Sequence, residues 1–399
     1  MKLPLVCLSL FGLLLCNHAL MAQLSHPVTV TRITGEQVEF TIDRVVDGVV
    51  YGQGKEFDLA DLVIIDAKRS LVRQKDPVQI SLVTGGVCGV KDILFDGEQF
   101  QVDAVFNNWV MPPDSIRGIL FNQEADRARY DRALENRSLE EDVLIARTKD
   151  GQGRVSGILE AISDAKVTMN YGGRSRSVSR ERVVAVVTAD LKPKLPEGVI
   201  GLVTLTDGST LGGVVTELKG GLLSLGVPGN ATIAIPFEQV ASIALSSDRV
   251  AYLSDLEPLE AECIPMVTLP FTWQRDLSVR RQPLSIYSWE QGKTIGYGKG
   301  IGTHAASRLE FENPDGFNRF VATVGIAAET AGKGDCEVSV WGDGIQLWES
   351  QLSGRDEAKA IDLDISGIQK ISLVVRNGRH LDLSDHVNWA NARFLKIGN

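Results

Sequence analysis

Two short runs near the C-terminal end of this chain bring together residue types that stack and hydrogen-bond. Gly296-Tyr-Gly-Lys-Gly-Ile-Gly-Thr-His-Ala305 carries Tyr297 and His304. Asp385-His-Val-Asn-Trp-Ala-Asn-Ala392 carries Asp385, His386, Asn388 and Trp389. Tyr287 and Trp289 precede the first run. Aromatic rings offer a large apolar face, and hydrogen bonds from charged partners are the stronger ones. The set suits a polyhydroxylated ligand, with Trp289 and Tyr287 as platforms and Tyr297, His304, Asp385, His386 and Asn388 as hydroxyl partners. Three of them also have a plainer role. His304 follows a tight glycine turn as a structural histidine would, Asp385 caps a turn or meets a cation, and Trp389 enters a strand as core.

Catalysis finds less support. Glu310 with Glu312, and Asp362 with Asp364, are carboxylate pairs at period two, which is the wet face of a strand. No Gly-x-Ser-x-Gly, His-Glu-x-x-His or phosphate loop occurs. Asp385-His386 has no identifiable nucleophile beside it. The chain reads as non-catalytic.

The elements that position these residues follow from patterning. The chain has 399 residues, enough for about three domains. An apolar content of 44% and a charged content of 23% are those of a globular protein. The balance of 41 basic against 51 acidic residues argues against nucleic acid as a partner, since no basic excess exists to release counterions. Residues 1–22 read as a secretory signal peptide: Lys2, an apolar run from Leu3 to Leu15, and small residues from Ala19 to Ala22. Cleavage after Ala22 leaves no transmembrane segment and predicts an exported protein that is periplasmic, cell-surface or secreted. Cys88, Cys263 and Cys336 then remain, too few and too widely spaced for a disulfide framework.

Four segments share one pattern. In the clearest, Val203 to Val215 holds the Asp207-Gly208 hairpin signal, Gly221 to Leu225 follows, and Ile233 to Ile243 closes with one helical turn and a last strand. The units are placed at 23–70, 76–121, 142–190 and 198–246. The expected form is separate small barrels, SH3-like or Sm-like, with fusion in pairs as the alternative. A helical linker is predicted over 122–141, where Asp, Glu, Arg and Ala are dense, and a second linker over 247–264.

A larger all-β module is expected over 265–399. Arg319 to Ile326 alternates, Glu337 to Trp341 and Ile345 to Trp348 flank the turn Gly342-Asp343-Gly344, and further strands recur about every ten residues. Trp341 and Trp348 are expected to pack across that hairpin.

The combination of Gly-Ile-Gly-Thr-His-Ala305, Phe320 to Ile326, Val338 to Gly344 and Asp385-His-Val-Asn-Trp-Ala390 resembles the NPCBM domain, the carbohydrate-binding module associated with glycoside hydrolase family 98. It is similar to carbohydrate-binding module family 51. Arg275-Asp-Leu-Ser-Val279 fits the lead-in of such domains in planctomycete-type exported bacterial proteins. The resemblance implies a galactose-binding-like jelly-roll β-sandwich, often with a structural calcium ion, and a glycan or polysaccharide held by loops at one end. The alternative is a structural or interaction protein of the cell envelope, with an envelope protein as partner and no sugar affinity.

Overall fold

The computed structural model describes residues 26–72, 76–121, 127–149, 151–267, 271–379 and 381–398. The expected signal segment lies outside them. Strands dominate, with one α-helix, Arg127–Glu135, among the described residues. No helix among them is long and apolar enough to cross a membrane.

The repeat pattern is realised four times. Each unit is a run of antiparallel strands ending in a single 3-10 turn and a last strand. The turns are Leu59–Asp61, Pro113–Ser115, Arg180–Arg182 and Phe237–Gln239. The last strands are Leu62–Asp66, Ile116–Leu120, Val183–Val187 and Val240–Ser246.

These last strands explain why the units are not separate barrels, as the sequence led us to expect. They are buried along most of their length, and Val183–Val187 is buried at every position. A strand of that kind left at a free edge would expose both apolar surface and unpaired backbone groups. The first and fourth units therefore join through Ile65 opposite Ile243. The second and third join through Ile119 opposite Val186. The outcome is an 11-stranded sheet from the outer pair and a 10-stranded sheet from the inner pair.

The two pairs then touch at close range. The Thr84 hydroxyl donates to the Gly212 carbonyl, and Gly212 N–H donates to the Gly85 carbonyl at 2.9 Å. A Cβ on Gly212 would sit 2.1 Å from the Thr84 carbonyl oxygen, so only glycine fits there.

The helix Arg127–Glu135 is less solvated than its composition suggests. Tyr130 and Ala133 are buried over the joined strands of the second and third units, and the Tyr130 hydroxyl pairs with Ser81 at 3.1 Å. Its Asp131 reaches Arg281 of the terminal module at 2.9 Å.

The terminal module is a two-sheet sandwich. One sheet runs in the order Gln274–Arg275, Gly300–His304, His386–Leu395, Arg319–Ile326, Lys359–Asp364. The other runs Glu260–Cys263, Ser307–Glu312, Lys370–Asn377, Asp335–Gly342, Ile345–Ser353. Phe311, Phe320, Trp389 and Phe394 are fully buried between them. Trp389 is thus core, as its place at a strand entry predicts.

Two expectations need correction here. The segment 247–264 is no free linker: Val250–Tyr252 pairs with the final strand, and Glu260–Cys263 pairs with Ser307–Glu312. Its weak strand pattern reflects edge positions, where one face stays wet. Trp341 and Trp348 do not face each other either. A bulge between Val340 and Trp341 sets Trp348 opposite Val340, and Trp341 lies under Arg376 instead.

The sandwich is clamped to the outer pair of units. Ile33, Val63 and Ala244 form one small core with Val250, Tyr252 and Leu395. The Tyr252 hydroxyl donates to the Val63 carbonyl at 2.9 Å. Beneath it Lys299, buried, bonds Asp255 and Asp276, the latter at 3.1 Å.

Candidate carbohydrate-binding end of the sandwich

At one end of the sandwich the strands Gly300–His304, Arg319–Ile326, Ile345–Ser353 and Lys370–Asn377 finish, and the final strand begins. His304 lies directly opposite His386 in the register. The two runs that sequence singled out are therefore neighbours in space.

Their side chains, however, point inward. His304, Asp385, His386 and Asn388 are each no more than 2% exposed. Phe271 covers both imidazoles, with ring centroids 4.8 Å from His304 and 5.3 Å from His386. His386 Nδ1 meets Glu329 Oε1 at 3.1 Å, and the Ser278 hydroxyl donates to Glu329 Oε2 at 2.9 Å. His304 Nδ1 is paired with the carbonyl of Ala305. Burial holds the His304 imidazole below its ordinary pKa.

Asp385 accepts the Asp335 N–H at 2.9 Å, and burial raises its carboxyl to about 6. Asp382 accepts the Met266 N–H at 2.7 Å. These residues tie the loops together from beneath. As direct sugar contacts His304, Asp385, His386 and Asn388 are corrected: all four are buried, His304, His386 and Asn388 within paired strands and Asp385 in the turn just before the final strand.

Tyr297 sits apart from that end. It stands between Lys293–Gly296 and Gly300–His304, on the side facing the fourth unit, where a Cβ on the adjacent Gly298 would meet the Thr204 hydroxyl at 2.6 Å. Burial pushes its phenol up to about 12. Tyr297 lines the cleft between the sandwich and the N-terminal units and lies away from the loop end.

Trp289 is the exception. It is 46% exposed, in the turn between Ser285–Ser288 and Lys293–Gly296. Its indole Nε1 donates to the Gly354 carbonyl at 3.2 Å. Tyr287 stands edge-on to it at 4.7 Å. Gly332, at φ +78°, passes beneath the ring, where an added Cβ would approach to 3.2 Å. Asn388 holds the supporting strand from inside by donating to the Ser285 carbonyl at 3.0 Å.

Arg355, Lys333, Glu290 and Glu357 are exposed around this corner. The Glu290 N–H donates to Glu357 at 2.6 Å, which fixes one carboxylate beside the ring. An exposed aromatic face with charged groups of both signs at its rim can stack a sugar and bond its hydroxyls. Sequence reasoning missed Glu329, Gly332, Gly354 and Arg355. Their only local signals are the Gly-rich turns Gly332-Lys-Gly334 and Ser353-Gly-Arg355.

The calcium ion that the resemblance implies finds no side-chain cage among the described residues, where no group of three or more His, Cys, Asp or Glu side chains is placed to hold a metal.

The terminal module is thus a two-sheet antiparallel sandwich with an exposed aromatic corner at its loop end. Residues 249–395 are an NPCBM/NEW2 domain, matched to that family by that description. The segment is similar to the CBM51 of a Clostridium perfringens GH95 in complex with methyl-galactose, at 28% identity, covering 36% of this chain and 99% of that one, with a TM-score of 0.33. It is also similar to the CBM51-2 and INT domains of Clostridium perfringens ZmpB in complex with GlcNAc, at 23% identity, 36% of that chain and 44% of this one, with a TM-score of 0.35. A curated Renibacterium salmoninarum protein named "Putative endo-alpha-N-acetylgalactosaminidase" is 32% identical over 102 residues, which are 25% of this chain. The chain spans 7% of that relative's length.

Proposed function

We propose that this chain is an exported, non-catalytic protein that binds glycan or cell-surface polysaccharide through the Trp289 corner of its NPCBM domain. The observation that carries the reading is Trp289 itself. It is half-exposed, braced by the Gly354 carbonyl, backed by Tyr287 and laid over Gly332 at the loop end of a carbohydrate-binding-module fold. An exposed indole face held in a fixed orientation is available to stack on a sugar ring. Glu290, Arg355 and Glu357 are the hydroxyl partners in this reading. The N-terminal units act as spacer and docking surface, in the periplasm or beyond.

The test is titration of the full chain with methyl-galactose and with GlcNAc, the sugars that the two Clostridium structures hold, followed by Trp fluorescence. Saturable quenching that Trp289→Ala removes without changing thermal stability supports the reading. A folded chain whose fluorescence and calorimetry respond to no sugar on a broad glycan array overturns it. The burial of His304, Asp385, His386 and Asn388 favours a second reading, a structural protein of the envelope with a protein partner. The negative array result would leave that one standing.

A further inference from the structure

Between the outer pair of β units and the sandwich lies a cleft of about 730 Å³, within the range of ligand sites. One wall comes from Thr29, Thr31 and Ser242 of the first and fourth units. The other comes from Tyr287, Thr323 and Arg393 of the sandwich. Tyr287 belongs to both the cleft and the aromatic corner, since its ring meets that of Trp289. The two features are therefore continuous.

Arg393 distinguishes this cleft from a simple gap between packed domains. It is 6% exposed. Its Nη1 donates to the Asn391 carbonyl at 2.8 Å, and its Nε has no acceptor among the described residues. No carboxylate among them is bonded to it, although Asp362 attracts its charge, and the cleft carries Asp66 and Glu357 beside the cations Lys68, Arg69 and Lys293. Asp362, on the same cleft, is held in a two-pronged bond by Arg319 at 2.6 and 2.8 Å. A buried guanidinium left with one neutral partner is costly unless an anion completes it. Its planar fork matches carboxylate and sulfate groups.

We infer that the cleft is the continuation of the sugar site and takes an acidic oligosaccharide, one end on Trp289 and a carboxylate or sulfate group on Arg393, with the N-terminal units forming the second wall. This rests on the proposed sugar-binding role of the Trp289 corner and adds ligand length and charge to it. It also gives the N-terminal units a part in recognition that the sandwich alone lacks.

The test uses the full chain and calorimetry with hexagalacturonate, its methyl ester, a sulfated carrageenan hexasaccharide, its desulfated form, and the monosaccharides. The expected result is at least a tenfold gain, roughly 1.4 kcal/mol, of one acidic hexasaccharide over both its neutralised form and the monosaccharide. The carboxylated and sulfated arms tell the two anion sources apart. Arg393→Gln should erase the gain. Ser242→Phe, which fills the cleft from the opposite wall and leaves Arg393 in place, should do the same if the Arg393 variant does not fold. Both should leave monosaccharide binding unchanged.

Acidic hexasaccharides that bind no better than neutral ones, or a gain that survives Ser242→Phe, overturn the cleft while the Trp289 site stands on its monosaccharide binding. A folded chain that binds no sugar of any kind overturns both.

Discussion

Asn388 donates its side-chain amide to the Ser285 carbonyl at 3.0 Å, from a position 1% exposed inside the final strand. That bond links the buried strand to the hairpin whose turn carries Trp289. A residue chosen for its chemistry as a ligand contact thus acts on the site from behind, as a brace.

Asn388→Ala should therefore weaken sugar binding without touching sugar. Removing the donor leaves a buried carbonyl unsatisfied, which costs roughly 1–3 kcal/mol. Urea denaturation should show that loss, and the Trp289 fluorescence should shift toward a more solvated environment. A stability loss with an unchanged binding isotherm would separate the brace from the site.

Gly332→Ala probes the floor under Trp289. The position has φ +78°, and the new methyl would press on the indole at 3.2 Å. Backbone strain of this kind costs on the order of 1 kcal/mol. The larger effect should be on affinity, because the ring must lift or rotate. Isothermal titration against the parent chain measures it, and an unchanged affinity would show that Trp289 does not need this floor.

Asp385 predicts a pH signature. Its carboxyl is raised from 3.8 to about 6 in the folded state by burial. A raised acid contributes stability that is fully present below pH 3.8 and is lost as pH rises through about 6. Across that window the parent should lose about 3 kcal/mol relative to Asp385→Asn, whose side chain does not titrate. Chemical denaturation of both proteins at pH 4, 5, 6 and 7 reads the difference. A constant difference would mean that Asp385 does not titrate in this range.

Tyr252→Phe tests the clamp between sandwich and N-terminal units. It removes the bond to the Val63 carbonyl and keeps the ring in its small core. The expected cost is about 1 kcal/mol or somewhat more. Hydrogen exchange should rise first at the backbone of Val250–Tyr252 and Leu62–Asp66, while amides in the core of the sandwich stay protected.

Much of this architecture is local and therefore legible in the chain. Asp207-Gly208 and Gly342-Asp343-Gly344 mark their hairpins because turns with positive φ select those residues, and Gly208, Asp343 and Gly344 do adopt positive φ. The one-turn helix and last strand of each unit follow from Phe237-Glu-Gln and its counterparts. The core role of Trp389 follows from its strand.

What local pattern does not carry is which edge meets which edge. The last strands of all four units are rich in apolar residues, which demands cover but does not name it. Only the folded chain pairs the first unit with the fourth and the second with the third.

By itself, the sequence determined an all-β chain of four small units and a terminal NPCBM-type sandwich. It also determined the two runs that meet at one end of that sandwich. The tertiary structure alone decided which of their side chains reach solvent. A strand's alternation says that residues face two sides, and the identity of each side depends on what packs there from far along the chain. Phe271 and Glu329 take His304 and His386 inward, whereas Gly332 and Gly354 hold Trp289 outward. Val250–Tyr252 and the outer β units cover the far side of the final strand and set Arg393 on the cleft. Those contacts span long stretches of sequence, so no short window of residues contains them.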